Sequence, residues 1–250
     1  MSTENLTLAI AMAVAAGLVG CFAVMRRMAL AADALSHVAL PGIGIALALH
    51  ISPIFGAVAM LFFGSLLVWA VEGKARVGTE AIVGVLFSLA LAAGSMTTFG
   101  EDLIEALFGG AAKMTPAELT FGLIASAAII AFIVTQRSRL VVMLVSPDVA
   151  RTAGIPVRRL DLLFLETFAL TIALGLRYLG VLLMGALIII PAVAAKRLAN
   201  NLASMLIAAV AIAVASTLIG TWLASSLHRE TGPLIVIAAA GFFALSFLRR

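Results

Sequence analysis

Residues 6–50 read LTLAIAMAVAAGLVGCFAVMRRMALAADALSHVALPGIGIALALH, with two apolar runs, 6–25 and 29–49, on either side of Arg26 and Arg27. Each run is close to the roughly 20 residues that a helix needs to cross a bilayer. The runs are continuous rather than alternating, which favours membrane-spanning helices over the short alternating strands of a membrane barrel. This stretch therefore predicts two consecutive transmembrane helices joined by a basic turn.

The rest of the chain has the same character, with 64% hydrophobic residues, 11% charged residues and a mean hydropathy of +1.22. A soluble domain carries roughly 25% charged residues. Further apolar runs lie at 54–71, 80–99, 118–135, 161–177, 179–195, 202–224 and 232–248. We predict an all-α, polytopic transmembrane helical bundle that forms one domain over residues 1–250. It has nine spans, or alternatively eight, because two runs adjoin at Gly180.

The charges predict an orientation for these spans. When nine spans alternate, one side receives the basic residues Arg26, Arg27, Lys74, Arg76, Arg137, Arg159, Lys196, Arg197, Arg249 and Arg250. The other side receives the acidic patch of Glu101, Asp102 and Glu105. Because loops rich in Lys and Arg stay in the cytoplasm, the C-terminus is predicted to be cytoplasmic and the N-terminus to lie outside. The net charge of +4 is thus explained by loop anchors, and nucleic-acid binding is not indicated.

The longest polar interruption lies between the fifth and sixth runs, from residue 136 to residue 161. Ser146 is a candidate N-cap and Pro147 a candidate first-turn residue of a short helix. Gly154 is a candidate C-terminal cap, and Pro156 prevents the helix from continuing. The pattern predicts a short cytoplasmic helix between two spans; the alternative is a basic loop that only enforces topology.

Two ionisable residues lie inside the second run. Asp33 and His37 are four residues apart and therefore share one face of a helix. An ionised carboxylate at that depth costs at least roughly 2.5–3.5 kcal/mol, so it should face protein, water or a cation. Pro41 has no N–H and predicts an interrupted helix that leaves a carbonyl free beside the Ser36 hydroxyl. Imidazole plus carboxylate suits first-row divalent metals. Two alternatives to a metal site remain: the Asp33–His37 pair only joins helices, or it relays protons.

The remaining polar features are less specific. Glu166 is a second acid within a span, for which a loop arginine is the favoured partner. The acidic patch could concentrate cations or receive a basic partner, or it could consist of solvated loop ends. Cys21 is expected to be a small buried apolar residue. The sequence has no phosphate-binding G-x-x-x-x-G-K-[ST] motif, no H-E-x-x-H and no G-x-S-x-G, so ATP binding and enzymatic activity by this chain are not indicated.

The segment from Arg26 to Gly42 resembles the signature of the zinc, manganese and iron ABC permeases, R-x-M-x-L-x-x-D-A-L-S-H-x-x-L-P-G. The similarity continues at Leu107-Phe108-Gly109, Asp148-Val149-Ala150, Ala153-Gly154-Ile155, Gly180-Val181-Leu182-Leu183, Ile190-Pro191-Ala192 and Thr231–Val236. The resemblance thus covers nearly the whole chain, and its first motif is the most specific.

This resemblance implies the membrane-spanning permease of a type II ABC importer for zinc, manganese or iron in a prokaryotic plasma membrane. It implies a homodimer, two cytoplasmic ATPase subunits that hold the ATP, and an extracytoplasmic metal-binding protein. It places Asp33 and His37, and more weakly Ser36, along the metal path, with no cofactor resident in the chain. It makes the segment near 146–158 a coupling helix that docks on the ATPase through Asp148, Ala150, Gly154, Ile155 and Pro156.

Two other transporter classes remain open. A permease for a metal chelate of the cobalamin or siderophore type would need a wide pore without a close carboxylate–imidazole pair. A stand-alone, ion-coupled secondary transporter would be expected to show inverted repeats, and no convincing internal repeat is seen. Nitrogen and oxygen ligands do not choose among zinc, manganese and iron.

Overall fold

The structure, a computed structural model, describes residues 3–51, 53–72, 78–97, 116–179 and 181–248. All regular structure in these ranges is helical, which confirms the predicted fold class. The helices are α1 (Thr3–Met25), α2 (Ala29–Ala48), α3 (Pro53–Glu72), α4 (Thr79–Thr97), α5 (Pro116–Val145), α6 (Pro147–Thr152), α7 (Val157–Leu179), α8 (Val181–Leu198), α9 (Leu202–Leu227) and α10 (Thr231–Ser246).

Every apolar run of the sequence corresponds to one long helix, and α6 is an additional short one. Six described helices, α1 to α5 and α9, are long and apolar enough to cross a membrane. The chain is therefore a multi-pass membrane protein, while the count of nine spans stays a prediction. Helix α5 continues ten residues beyond the predicted end at residue 135, to Val145. Its 30 residues measure about 45 Å, longer than a hydrocarbon core of about 30 Å, so one end of α5 extends beyond the membrane.

Helices α1, α2 and α8 form the centre of the bundle. Helix α1 packs against α5, α8 and α9, and α2 packs against α3, α4 and α8. Phe22, Phe164 and Phe168 are among the largest fully buried side chains. Exposed leucine, valine and phenylalanine side chains lie on the outer helices. Because lipid tails are as apolar as these side chains, close van der Waals packing rather than the hydrophobic effect holds such helices together.

Glycines allow the backbone of α2 to approach its neighbours closely. Gly42 of α2 faces Gly56 of α3, and a Cβ atom on either would overlap the carbonyl oxygen of the other. On the opposite side, a Cβ atom on Gly185 of α8 would lie 3.0 Å from the Cα atom of Asp33. Helix α2 is therefore held between two neighbours at near backbone-to-backbone distance.

The predicted interruption of the second span is wrong, because α2 continues as one helix through Pro41. Helix α4 packs closely beside this residue. Gly94 has no side chain, and a Cβ atom there would lie 3.0 Å from the Cβ atom of Leu40 and 3.6 Å from the Cδ atom of Pro41. The missing side chain leaves room for Leu40, and packing against α3, α4 and α8 offsets the lost N–H donor of Pro41.

Basic residues of the first loop and of the α6–α7 segment lie together at one end of the bundle. Arg26, after α1, forms an ion pair with Asp161 near the start of α7. Trp69, near the end of α3, donates its indole N–H to the carbonyl oxygen of Arg158 at 2.9 Å. A cleft of about 640 Å³ lies at this end, and its lining includes Arg151 of α6. Lys74, Arg76, Arg249 and Arg250 lie outside the described residues.

We expect this basic end to be cytoplasmic. Reporter fusions placed after Arg27, Arg159 and Lys196 should report the cytoplasm, because positively charged loops are retained there. A fusion near Glu101 should report the outside. If the Glu101 and Arg159 fusions report the same side, the alternating nine-span topology is wrong.

The close contact between α2 and α3 generates a second prediction. Gly56→Ala should lower the melting temperature of the detergent-purified protein, because the added methyl group overlaps the Gly42 carbonyl and overpacking costs about 1–3 kcal/mol. Gly84→Ala is the matched control: nothing lies within 4 Å of its added Cβ atom, so the melting temperature should stay the same or rise. Equal effects of the two substitutions would contradict the described packing of α2 on α3.

Candidate metal path and coupling helix

The candidate ligands lie one turn apart on α2, on a helix fixed by the contacts described above. Counting from Ala29, His37 lies about 12 Å along the helix axis, well inside a hydrocarbon core of about 30 Å. Asp33 is exposed on the surface of the single chain, and its charge acts on the half-buried His37. Ser36 differs from both: it is fully buried, and its hydroxyl donates to the carbonyl oxygen of Asp33 at 2.6 Å.

The His37 ring is positioned by an aromatic contact with α4. Its ring centroid lies 5.3 Å from that of Phe87, with an interplanar angle of 71°, an edge-to-face arrangement. Its Nδ1 atom is buried without a hydrogen-bond partner among the described residues. A histidine that holds a resident metal normally donates its second nitrogen to a carboxylate or carbonyl group, and this support is missing here.

The exposure of Asp33 constrains what surrounds the chain. A carboxylate at membrane depth that faced lipid would cost at least roughly 2.5–3.5 kcal/mol. Helix α8 covers the backbone beside Asp33 through Gly185 but leaves the side chain accessible. We therefore expect this face of α2 to meet water or another protein surface.

Among the described residues, no cluster of further candidate ligands surrounds this pair. In the part of the chain that the structure describes, no group of three or more His, Cys, Asp and Glu side chains is placed to hold a metal ion. His50 and His228 lie beyond the ends of α2 and α9, with left-handed φ angles of 55° and 52°. Glu101, Asp102 and Glu105, together with the 107–109 motif and Gly180, lie outside the described residues.

Among the described residues, Glu166 of α7 has no arginine partner of the kind that the sequence favoured. Its Oε2 atom is buried without a hydrogen-bond partner in the same part of the chain. The loop arginine Arg26 pairs instead with Asp161, five residues earlier. Sequence reasoning missed this ion pair, because nothing along the chain distinguishes Asp161 from the other loop carboxylates.

The short helix α6 begins as predicted. Ser146 has an extended backbone, and its hydroxyl oxygen accepts a hydrogen bond from the N–H of Val149 at 3.3 Å. Pro147 occupies the first turn, where its missing N–H costs nothing. The exposed side of α6 carries Asp148 and Arg151, whose side chains form an ion pair at 2.6 Å, and Val149, which is 57% exposed.

The end of α6 is also as predicted. Gly154 has a left-handed φ angle of 75°. Its N–H donates to the carbonyl oxygen of Arg151 at 3.1 Å, and the N–H of Ile155 donates to that of Ala150 at 2.9 Å. These are the two hydrogen bonds of a Schellman motif. Ala150 is fully buried, and Ile155 packs against the core, so both anchor α6 to the bundle; Pro156 then leads into α7.

The sequence and the fold are those of a known transporter family. Residues 2–250 match the family described as the ABC 3 transport family. The chain belongs to this family. It is 32% identical over 249 residues to the manganese transport system membrane protein MntC of Halalkalibacterium halodurans, covering 98% of this chain and 85% of that protein. It is 29% identical to the high-affinity zinc uptake system membrane protein ZnuB of Haemophilus influenzae, covering 92% and 90%.

A solved structure supports the same assignment. PsaBC from Streptococcus pneumoniae, in complex with a Fab, superposes on 98% of this chain and 90% of the matched chain. The TM-score is 0.84 and the sequence identity 27%. The permease resemblance of the sequence is therefore confirmed, and the architecture is that of an ABC-importer permease.

Proposed function

We propose that this chain is the membrane-spanning permease of an ATP-driven importer of divalent transition-metal ions, namely zinc, manganese or iron. The observation that carries the proposal is the Asp33–His37 pair on α2, which combines a carboxylate and an imidazole at membrane depth. Family membership supports it, since relatives over nearly the whole chain are named for manganese and zinc transport.

The pair has the chemistry of a transient site. A carboxylate in a low-dielectric pore lowers the barrier for a dication by direct charge stabilisation. Neutral imidazole adds a ligand that first-row metals accept. Two protein ligands with water completing the shell allow release, whereas a closed four-ligand cage would hold the metal as a structural site does. Ser36 contributes at most its oxygen, because its proton is donated to the backbone of Asp33.

We further propose that two copies of the chain enclose the pore. The support is the exposed carboxylate of Asp33, which would face lipid in an isolated protomer at a cost that a second copy or a water-filled path removes. Each copy would supply one Asp33–His37 pair. A homodimer in the plasma membrane of a prokaryote, with cytoplasmic C-termini, is the corresponding assembly.

The energy would come from two separate ATPase subunits, since this sequence lacks a phosphate-binding loop, and an extracytoplasmic metal-binding protein would deliver the ion. Helix α6 is the proposed coupling helix. Its exposed residues Asp148, Val149 and Arg151 would meet the ATPase, whereas the buried Ala150 and the half-buried Ile155 attach the helix to the bundle. The chain would itself hold neither ATP nor a resident cofactor.

The alternatives have less support. A stand-alone secondary transporter does not agree with membership of an ABC transport family. A chelate permease would not need a carboxylate and an imidazole one turn apart, because a chelate keeps its metal coordinated by its own ligands.

Removing either candidate ligand should abolish uptake of zinc, manganese or iron by the reconstituted transporter. We expect Asp33→Asn and His37→Ala each to lower the initial rate about tenfold or more, the effect of losing roughly 1.4 kcal/mol at the rate-limiting barrier. Glu80→Gln, at an exposed carboxylate of α4, and His50→Asn, beyond the end of α2, are the matched controls and should transport normally. Parental rates in both Asp33 and His37 variants, with normal assembly, would exclude the pair from the metal path.

The cap of α6 provides a separate test of coupling. Gly154→Val should weaken ATPase association or transport-coupled ATP hydrolysis, because a β-branched residue is disfavoured at a φ angle of 75° by about 1–2 kcal/mol or more. Nothing lies within 4 Å of a Cβ atom added there, so a steric clash cannot produce the effect. Gly154→Asn is the matched control, since asparagine tolerates this conformation. If the valine variant couples normally, the segment is only a topology loop.

A further inference from the structure

One ion pair connects two segments that are far apart in the sequence. The guanidinium group of Arg26 pairs with the carboxylate of Asp161, 135 residues later in the chain. The two side chains are only 12% and 17% exposed. The guanidinium group also lies 4.9 Å from the ring centroid of Phe164, one turn further along α7. A pair with so little water around it is screened weakly and is costly to break, unlike an exposed ion pair.

On one side, this ion pair is joined to α6. Asp161 lies four residues after the first residue of α7, and only residues 153–156 separate α7 from α6. The Schellman hydrogen bonds hold the first part of this connection. Its last carbonyl, that of Pro156, accepts from the N–H groups of Arg159 and Leu160 at 3.0 and 2.9 Å. The connection is therefore short and hydrogen-bonded throughout, so that a displacement of α6 displaces Asp161.

On the other side, the ion pair is joined to α2. The loop after α1 is tight: the N–H of Met28 donates to the carbonyl oxygen of Ala23 at 2.8 Å, and its own carbonyl accepts from Ala31 at 3.0 Å. Met28 is 1% exposed, which fixes the loop in the core. Arg26 thus lies three residues before the start of α2, and Asp33 follows one turn into that helix.

We propose that the Arg26–Asp161 ion pair transmits the movement of α6 to α2, and so to the residues that contact the ion. This inference rests on the proposed function. Arg26 and Asp161 are positioning residues, since neither is placed beside the candidate ligands. Their contact joins the α6–α7 segment to the loop that precedes α2, in addition to the packing of α7 against α1 and α2. The nearby contact of Trp69 with Arg158 ties the same segment to α3 instead.

The test uses the complete reconstituted transporter with its ATPase and binding protein. The measured quantity is the number of zinc, manganese or iron ions imported per ATP hydrolysed. Arg26→Gln and Asp161→Asn should each lower this ratio about fivefold or more while ATPase association stays normal, because each removes one charge of a weakly screened pair. Arg27→Gln is the matched control: it removes the same charge from the adjacent, exposed residue and should keep the parental ratio.

Two double variants separate transmission from simple stabilisation. Arg26→Asp with Asp161→Arg restores an ion pair of opposite polarity and should recover at least part of the ratio. Arg26→Met with Asp161→Leu fills the same space with apolar groups, which often preserves folding at former ion-pair sites. This apolar variant should assemble with the ATPase, keep its melting temperature and remain uncoupled.

If the single variants unfold, the apolar double variant still tests whether the ion pair transmits movement. A folded apolar variant that transports at the parental ratio would show that the ion pair only stabilises the fold, and the inference would be wrong. Failure of the proposed function looks different, because the parental complex itself would then import none of the three metals. A parental complex that imports metal, with unaffected ratios in every Arg26 and Asp161 variant, would overturn the inference alone.

Discussion

Hydrocarbon offers no hydrogen bonds and solvates charge poorly. The helical backbone and the positions of the charged side chains in this chain both follow from that constraint. The backbone forms helices, so that its polar groups are satisfied within each span. Basic side chains of the first loop, of α6 and of α7 lie around one cleft at an end of the bundle. Asp33 remains exposed in the second span, so the same constraint also bears on what lies beside the chain. We expect a water-filled path or another protein surface next to this carboxylate.

The same solvent explains the role of small residues around α2. Helices in lipid gain little from burying apolar area, so their stability depends on how closely they approach. Gly56, Gly94 and Gly185, on three different neighbours, each present backbone rather than a side chain to α2. Close-packed interiors transmit strain, and near backbone-to-backbone contacts leave little room to absorb a displacement at these three positions. If the proposed coupling holds, movement applied at the start of α2 would be carried along it toward Asp33 and His37.

Features that depend on local sequence could be predicted. Hydropathy located the long helices, the spacing of Asp33 and His37 placed them on one face, and Ser146 and Gly154 defined both ends of α6. Each of these features depends only on a few neighbouring residues, either through backbone geometry or through their preference for lipid or water. The end of α5 was placed too early, because Gln136 and the arginines after it mark the membrane boundary rather than the helix end.

Features that depend on partners distant in the chain could not be predicted. The close approach of α4 to α2 beside Pro41 depends on the absence of a side chain at Gly94, on a different helix. The partner of Arg26 could have been any of several carboxylates near the basic end, and the sequence favoured a loop arginine for Glu166 instead. Only the packing of α7 beside the first loop selects Asp161.

The surroundings of His37 help to explain why the Asp33–His37 pair would let an ion pass rather than bind it permanently. In resident metal sites, a second-shell acceptor fixes the histidine ring and raises its basicity, and losing that acceptor typically lowers affinity about 10- to 100-fold. Here Nδ1 has no hydrogen-bond partner among the described residues, and the edge-to-face contact with Phe87 orients the ring without polarising it. In the proposed metal path, such an imidazole would be held in position but would be a weaker ligand than a supported one. Combined with one accessible carboxylate, it would lower the barrier for a passing dication without creating a deep well, as a path that must release its ion requires.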